Sequence, residues 1–265
     1  MASIPELYTR EMHTKYQYLA CWLPSTPMAP GDVGVLSGHT FRKLTTLAEL
    51  GIPFTRNPDS PFANLNYSST DCVAVAPGVR VGPTADDALC TLSVTFTRDG
   101  ATLFQASDCV QETLGNLPAL EAALRARHEN RAWRLEYVVV TEVVRTGPTA
   151  ILVAEHRGAQ LDLQVSASAL TNPLPVASAA ANCVITRRHG IAADVLVPDG
   201  ATPLFRAVQL RKRPLRPYDL VFRSDDDDFS VTEDVDEPDE PEETDMVRVT
   251  WADLGRGDAT APMDV

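Results

Sequence analysis

The sequence has no apolar run approaching the roughly 20 residues that a membrane-spanning helix requires. Its first residues also lack the basic-then-apolar layout of a signal peptide, so we expect a protein made soluble in the cytoplasm. The five cysteines are widely spaced and include no CxxC pair. Since zinc sites and disulfide frameworks need close or paired cysteines, we expect free thiols in a reducing compartment and no metal site.

Signatures of catalysis are missing as well. The five histidines are scattered without an HExxH pair, and there is no GxSxG elbow, GxxxxGK[ST] loop or GxGxxG turn. A triad assembled from distant residues would leave no such trace, because it depends on geometry and not on spacing. We nevertheless expect a protein that is not an enzyme and that holds no cofactor.

Negative charge is abundant in one place only. Of the net charge of −13, residues 224–265 contribute −14, from 16 acidic residues against two arginines, and the remaining 223 residues carry +1. The acidity therefore belongs to a tail and not to the body. Nucleic acid is not an expected partner, because the body is near neutral and no aromatic residues are interleaved with its bases.

The strongest strand pattern lies in residues 135–169. The β-branched run Val138–Val144 ends at Gly147-Pro148, and the apolar run Ala150–Ala154 follows, which predicts a hairpin. From Ala159 to Ala169, apolar residues alternate strictly with polar ones. This period of two suits a sheet that rests on a core, and it suits equally a barrel wall between lipid and a water-filled lumen.

Similar signals run along the rest of the chain. Residues 91–97 alternate, turn at Arg98-Asp99-Gly100 and return through 101–104, which predicts a second amphipathic hairpin. Ser3 and Glu6 form a capping-box pattern that predicts a helix, and Pro118 opens another. Two strands, 183–186 and 191–197, are expected to flank a polar turn at 187–190.

These elements predict an α+β fold with a twisted, mostly antiparallel central sheet, amphipathic hairpins and a few flanking helices. Residues 1–223 would form one domain. Residues 224–245, rich in Asp, Glu and Pro, would form a disordered linker, because such a segment cannot bury enough apolar surface to become ordered. Residues 246–265 would form a short C-terminal peptide in which apolar alternation resumes.

Two segments resemble gasdermin pore-forming domains. Tyr137-Val-Val-Val-Thr-Glu-Val-Val-Arg-Thr146 is similar to the "YVVTEV" strand of that family and follows a Leu- and Arg-rich helix, as it does there. Residues 197–210 are similar to the "IPSGSTLAFRVAQL" segment near the end of the membrane-active domain. Together the two segments span residues 116–210. Because the large helical repressor domain of animal gasdermins has no counterpart here, the chain most resembles the short bacterial members.

The resemblance implies a function. It implies a pore-former, inactive in the cytoplasm, that a protease activates by removing the C-terminal peptide, and that then assembles as a homo-oligomer in the cell (inner) membrane on anionic lipids. The outcome would be lytic cell death in antiviral or immune defence. Two transmembrane hairpins would come from residues 91–106 and 138–195. Their membrane faces would include Leu92, Val94, Phe96, Val139, Val143, Leu161, Leu163 and Val165.

Basic residues concentrate between residues 206 and 223. Three interpretations stay open: a solvated face, a patch for anionic lipid headgroups, or a dock for the acidic tail. The residues concerned are Arg206, Arg211, Lys212, Arg213 and Arg216.

The C-terminal peptide is the expected inhibitor. Val247, Val249 and Trp251 would pack on the body and restrain it. Asp245 would suit a caspase-like protease and Arg248 a trypsin-like one. The alternative function is a soluble β-rich binding or scaffold module with a solubilising acidic tail.

Overall fold

The computed structural model describes residues 2–78, 89–180, 182–212 and 244–254. The fold is α+β, with mostly antiparallel sheets and few helices, as predicted. The helices are α1 (Ile4–Tyr16), α2 (Leu117–Glu129), α3 (Ala167–Leu170), α4 (Pro175–Ala179) and α5 (Trp251–Leu254). The strands are β1 (Asp32–Ser37), β2 (Thr40–Thr46), β3 (Thr55–Arg56), β4 (Ser60–Pro61), β5 (Leu65–Ser68), β6 (Val73–Pro77), β7 (Leu89–Phe96), β8 (Thr102–Ala106), β9 (Val110–Gly115), β10 (Val138–Thr146), β11 (Thr149–Ala154), β12 (Gln160–Ser166), β13 (Val184–His189), β14 (Ile191–Val197), β15 (Ala201–Lys212) and β16 (Thr244–Arg248).

Three sheets organise the chain. The base sheet has the order β16-β15-β10-β1-β2, with β9 also beside β10 and with β3 and β4 beside β9. The middle sheet has the order β14-β11-β8-β5, and the outer sheet has the order β13-β12-β7-β6.

The two central strands of the middle sheet, β8 and β11, are buried on both faces. One face packs on the outer sheet in a cluster that includes Leu103, Leu152 and Leu163, and the other packs on α1 through Phe104 and Ile151. Strand β11 is consequently apolar at five of its six positions, whereas β12 in the outer sheet alternates between buried and half-buried residues until its exposed last residue.

The two long helices begin where the sequence predicts. Ser3 Oγ accepts the Glu6 N–H at 3.3 Å and the Glu6 carboxylate accepts the Ser3 N–H at 3.4 Å, so the capping box is complete. Asn116 caps α2, whose Leu120 and Leu124 are buried with residues of the base sheet. Helix α2 thereby packs on the base sheet.

Both predicted hairpins are wrong in their pairing. Strand β10 pairs with β1, β9 and β15, and β11 pairs with β8 and β14, so the two are not neighbours. Strand β7 lies in the outer sheet and β8 in the middle sheet. The glycine-containing links turn the chain between sheets instead of returning it along the same sheet.

Three boundaries also differ from the predictions. Arg187, Arg188 and His189 lie in β13 and not in a polar turn, which shrinks to Gly190 at φ 62°. The alternation through Ala169 ends earlier, because Ala167 begins α3. Thr244 and Asp245, placed in the linker by the sequence prediction, pair with β15 as the start of β16. The rest of the predicted linker, and the peptide beyond residue 254, lie outside the described residues.

Candidate functional site: two folded hairpins and the C-terminal segment

Four chain segments pass through all three sheets while keeping the same neighbours. We call them ribbon strands: strand 1 is β4-β5-β6, strand 2 is β7-β8-β9, strand 3 is β10-β11-β12 and strand 4 is β13-β14-β15. In the base, middle and outer sheets alike the order is 1-2-3-4, and every pair is antiparallel. The arrangement is therefore one four-stranded ribbon bent twice, composed of two long hairpins lying side by side.

The central pair of the ribbon keeps one register from end to end. Thr113 faces Glu142 in the base sheet, Ala106 faces Thr149 in the middle sheet, and Cys90 faces Val165 in the outer sheet. Between these pairs ribbon strands 2 and 3 advance by equal numbers of residues. The ladder consequently crosses both bends without gaining or losing a residue on either strand.

We call the bend between the middle and outer sheets the outer corner. At this corner ribbon strands 2 and 3 turn over the same number of residues. Residues 97–100 turn ribbon strand 2 and residues 155–158 turn ribbon strand 3. Each turn ends on a glycine at positive φ, Gly100 at 66° and Gly158 at 84°, a conformation that side chains with a Cβ rarely adopt. Gly100 N–H donates to Ala154 O at 3.0 Å, and Gly158 N–H donates to Phe96 O at 2.9 Å.

Six of the predicted membrane-face residues come together in one layer. They are all buried between the middle and outer sheets, on the inner side of the outer corner. The residues are Leu92, Val94, Phe96, Leu161, Leu163 and Val165. The opposite face of the outer sheet carries the polar partners, including Ser93, whose hydroxyl donates to Asp162 at 2.6 Å.

The other two predicted membrane-face residues lie elsewhere. Val139 and Val143 are fully buried in the base sheet, and they belong to different apolar clusters. A register irregularity between Val140 and Glu142 separates them, so the alternation does not carry across it. The structure therefore does not bring Val139 and Val143 together with the other six.

Arg206 of the predicted basic cluster lies in a polar network within the base sheet. Its guanidinium donates to Glu142 Oε2 at 3.1 Å and lies 4.0 Å from the centre of the Tyr18 ring. The Tyr18 hydroxyl and Gln111 Nε2 donate to the same carboxylate. Burial, and then the hydrogen bond to Glu142, raise the pKa of Tyr18 to about 12. The carboxylate thus links ribbon strands 2, 3 and 4 with the segment after α1.

Arg211 is likewise paired within the chain. Its guanidinium donates to Asp253 at 2.6 Å. Lys212 ends β15 and its side chain lies outside the described atoms, as do Arg213 and Arg216 altogether. Both arginines of the predicted cluster that the structure describes are therefore engaged internally, one of them with the C-terminal segment.

The C-terminal segment continues the base sheet. Strand β16 pairs with the outer edge of β15, with Val247 opposite Gln209 and Met246 opposite Leu210. Val249 and Leu254 are buried, and Leu254 O accepts the His39 N–H at 3.1 Å. The sequence prediction that this peptide packs on the body names Val249, which is buried, and Val247, which is only half-buried.

Some contacts of this segment were not predicted. Met246 packs with the α2 cluster, and Leu254 is the most buried side chain of α5 among those described. Asp245 accepts a hydrogen bond from Arg125 at 2.6 Å. Alternation of apolar residues predicts which side chains of a strand are buried. It does not predict the burial of Leu254, because that residue belongs to the following helix. The side chain of Trp251 lies outside the described atoms.

The two candidate cleavage residues lie in paired backbone. Asp245 is opposite Arg211, and Arg248 is opposite Val208. Proteases bind exposed, unpaired chain most readily, so cleavage after either residue requires β16 to separate first.

Metal ligation and thiol chemistry are two alternatives to consider for the described residues. Among them no group of three or more His, Cys, Asp or Glu side chains could hold a metal ion. All five cysteines are free, and burial raises the pKa of the Cys21 thiol to about 12 and that of Cys109 to about 11, which keeps both protonated at neutral pH. No helix within the described ranges is long and apolar enough to cross a membrane.

Comparison with known proteins yields a faint structural likeness. No protein-family model matches the chain, and no curated protein matches it. The cryo-EM structure of the gasdermin A3 membrane pore is similar over 84% of this chain and 97% of that chain, with 14% identity and a TM-score of 0.31. A likeness this low carries no argument about function.

Proposed function

We propose that this chain is an autoinhibited pore-forming protein of the gasdermin type, whose two folded hairpins extend into a membrane after the C-terminal segment is released. The observation that carries the proposal is the bent ribbon with one strand order in three sheets. Straightening its outer corner would lengthen all four strands without exchanging any pairing partner. The sequence resemblance in residues 137–146 and 197–210 supports the same conclusion.

The lengths suit a bilayer. A spanning strand needs about 9–11 residues, and β11 with β12 extends from Thr149 to Ser166. Because side chains alternate along a continuous strand, Leu163 of the outer sheet and Ile151 of the middle sheet would lie on one face of the straightened ribbon. Their cross-strand partners Leu92 and Phe104 lie on the same face, which is apolar and would contact lipid tails.

The two edge strands of the ribbon favour assembly into an oligomer. A four-stranded ribbon in a bilayer has two rows of unpaired N–H and C=O groups, each costing several kcal/mol. Pairing ribbon strand 4 of one copy with ribbon strand 1 of the next would satisfy both rows. We therefore propose a homo-oligomer in the active state, formed on anionic lipid.

The C-terminal segment occupies part of the edge that assembly requires. Strand β16 covers β15 from Val208 to Lys212, and Leu19 covers it at Phe205. A tethered strand rebinds at an effective concentration near millimolar, and cutting the tether removes that advantage. Proteolysis within residues 213–243 would let the segment dissociate, which converts an inactive cytoplasmic chain into a membrane-active one. Lytic cell death in defence, including antiviral defence, is the biological role that we propose.

A second candidate is the soluble β-rich binding or scaffold module. It is favoured by the internal pairing of Arg206 with Glu142 and of Arg211 with Asp253, which leaves neither arginine free for lipid headgroups. In that case the C-terminal strand would only complete the base sheet.

One cross-linked protein separates the two candidates. In a Cys72→Ser, Cys183→Ser background, Gln209→Cys and Val247→Cys place thiols on directly paired residues of β15 and β16. A foreign protease site is added within residues 213–243. On vesicles containing phosphatidylserine or cardiolipin, we expect dye leakage only when the protein is both cut and reduced.

The matched control is Thr95→Cys with Gln160→Cys, which cross-links ribbon strands 2 and 3 on the half-buried polar face. Because this pairing is retained on straightening, the oxidised control should leak as well as the reduced one after cutting. If cut and reduced Gln209→Cys/Val247→Cys protein stays inert, the pore function is wrong and the scaffold is favoured.

A further inference from the structure

Helix α1 lies directly against the outer corner. Leu7 packs on Gly100, where an added Cβ would come within 2.6 Å of Leu7 Cδ1. On the same helix, Tyr8 and Met12 are fully buried with Phe104 of the middle sheet. One helix therefore contacts both the middle sheet and the bend by which that sheet continues into the outer sheet.

A single carboxylate of α1 links two ribbon strands at this corner. Glu11 Oε1 accepts a hydrogen bond from Arg98 Nη2 at 2.6 Å, and Glu11 Oε2 accepts one from Ser69 Oγ at 2.8 Å. Arg98 lies in the corner of ribbon strand 2. Ser69 follows β5 at the corner of ribbon strand 1, and its Oγ also accepts the Thr102 N–H at 2.9 Å. Straightening either strand would move Arg98 or Ser69 away from Glu11.

The fit of α1 leaves two hydroxyl groups unsatisfied among the described residues, those of Tyr8 and Tyr16, and Tyr8 is the more deeply buried of the two. The Tyr8 hydroxyl is fully buried and has no hydrogen-bond partner in the described part of the chain. Leaving a buried hydroxyl without a partner disfavours the docked state, because undocking would return the group to water. Thus α1 is held by apolar packing and by Glu11, against the cost at Tyr8.

We propose that α1 is a brace that keeps the outer corner bent, and that Glu11 is the residue that clamps it. In membrane insertion, α1 would have to leave the corner before the first hairpin straightens. This timing rests on the proposed function, whereas the clamp itself is a property of the folded chain in water.

Swapping the charges of Glu11 and Arg98 tests the clamp in the full-length protein. Glu11→Arg and Arg98→Glu each break the pair, and the double variant restores it with reversed polarity. The readout is amide hydrogen exchange at Gly100 and Gly158, whose N–H groups bond across the corner. We expect roughly two- to fivefold faster exchange in each single variant, the factor appropriate to a half-exposed ion pair, and wild-type exchange in the double variant.

A matched control is Arg134→Glu, which breaks an exposed Arg134–Glu136 pair away from the corner and should leave exchange at Gly100 unchanged. The second readout is the lag before dye leakage from phosphatidylserine vesicles after linker cleavage, which should shorten in both single variants and recover in the double variant.

Three results would overturn the proposal that α1 is a brace. The first is a wild-type rate of amide hydrogen exchange at the corner in both single variants, and the second is a double variant whose exchange stays faster than that of the wild type. The third is an unchanged lag before dye leakage in single variants whose amide exchange is faster. If no protein leaks, wild type included, the exchange data still decide the clamp. In that case only the pore function fails.

Discussion

Leu92 lies directly opposite Leu163 on neighbouring strands of the outer sheet, and both side chains are buried beneath the middle sheet. The face proposed to meet lipid is thus the face that holds the soluble fold together. We expect Leu163→Asp to lower the free energy of unfolding by several kcal/mol, because it buries an unpaired charge or a protonated carboxyl group. Gln164→Asp, at a half-buried position on the polar face, should change it by about 0.5 kcal/mol or less.

Urea unfolding of the two variants measures this difference. Similar losses in the free energy of unfolding of both variants would mean that the alternation along β12 does not separate a core face from a solvent-facing one. Leakage experiments on Leu163→Asp are interpretable only where the uncut variant remains folded.

Arg206 should behave as a structural residue. Arg206→Ala leaves the largely buried Glu142 carboxylate without its cation, and we expect a loss of about 1–3 kcal/mol in the free energy of unfolding. Arg187→Ala, at an exposed position of β13, removes the same charge and should be nearly neutral. Thermal unfolding of both variants provides the measurement. Equal midpoints would show that the network around Glu142 does not support the base sheet.

Leu254 should hold the C-terminal segment more strongly than Val247. Leu254→Ala removes a fully buried side chain, for which losses of about 2–5 kcal/mol are usual. Val247→Ala affects a half-buried residue and should cost less than about 1.5 kcal/mol. After linker cleavage, the dissociation rate of the segment, followed by size exclusion, should rise far more for Leu254→Ala. The reverse order would place the main contact in β16 and not in α5.

Acid should loosen α5. Burial alone would raise the pKa of Asp253, but hydrogen bonds from the Thr250 backbone and hydroxyl and from Arg211 outweigh it and hold the pKa below its ordinary value. A carboxyl group with a lowered folded pKa contributes stability above its unfolded pKa and loses it as the pH falls through the folded value. We therefore expect α5 docking to be constant from pH 5 to 8 and to weaken below about pH 4.

Limited proteolysis of α5 across this pH range is the measurement, with Asp253→Asn as the comparison. The variant should be more readily cleaved at neutral pH and should lose most of the change below pH 4. A wild-type profile identical to that of the variant would remove Asp253 from the docking contacts.

The sequence predicts several of the long elements correctly but misses β9, α3 and α4, and it does not predict how the strands pair. Alternation from Ala159 onward correctly predicts β12, and the Ser3–Glu6 pattern correctly predicts α1. The sequence does not predict the pairing of β7 and β8, because Arg98-Asp99-Gly100 has the composition of a hairpin turn. A short polar link ending in glycine can return a strand beside itself or send it to a facing sheet, and local composition does not distinguish the two.

The long-range contacts had no local signal at all. Glu11 is an ordinary acid on the surface of a predicted helix, and only the fold brings it to Arg98, 87 positions along the chain. The packing of the C-terminal peptide on the body is easier to predict, since Val249 continues an apolar alternation after an acidic segment. Its addition to β15 as an edge strand could not be predicted, because an unpaired edge is visible only once the base sheet is known.

The equal turns at residues 97–100 and 155–158 restrict how relatives of this chain can vary in length. An inserted residue in one turn would shift every cross-strand neighbour between ribbon strands 2 and 3 on one side of the bend, and would move Leu161 or Leu92 to the opposite face. A compensating insertion in the other turn would restore the match. Length changes at these two distant positions should therefore occur together in evolution, whereas those in residues 79–88 or 213–243 should occur independently.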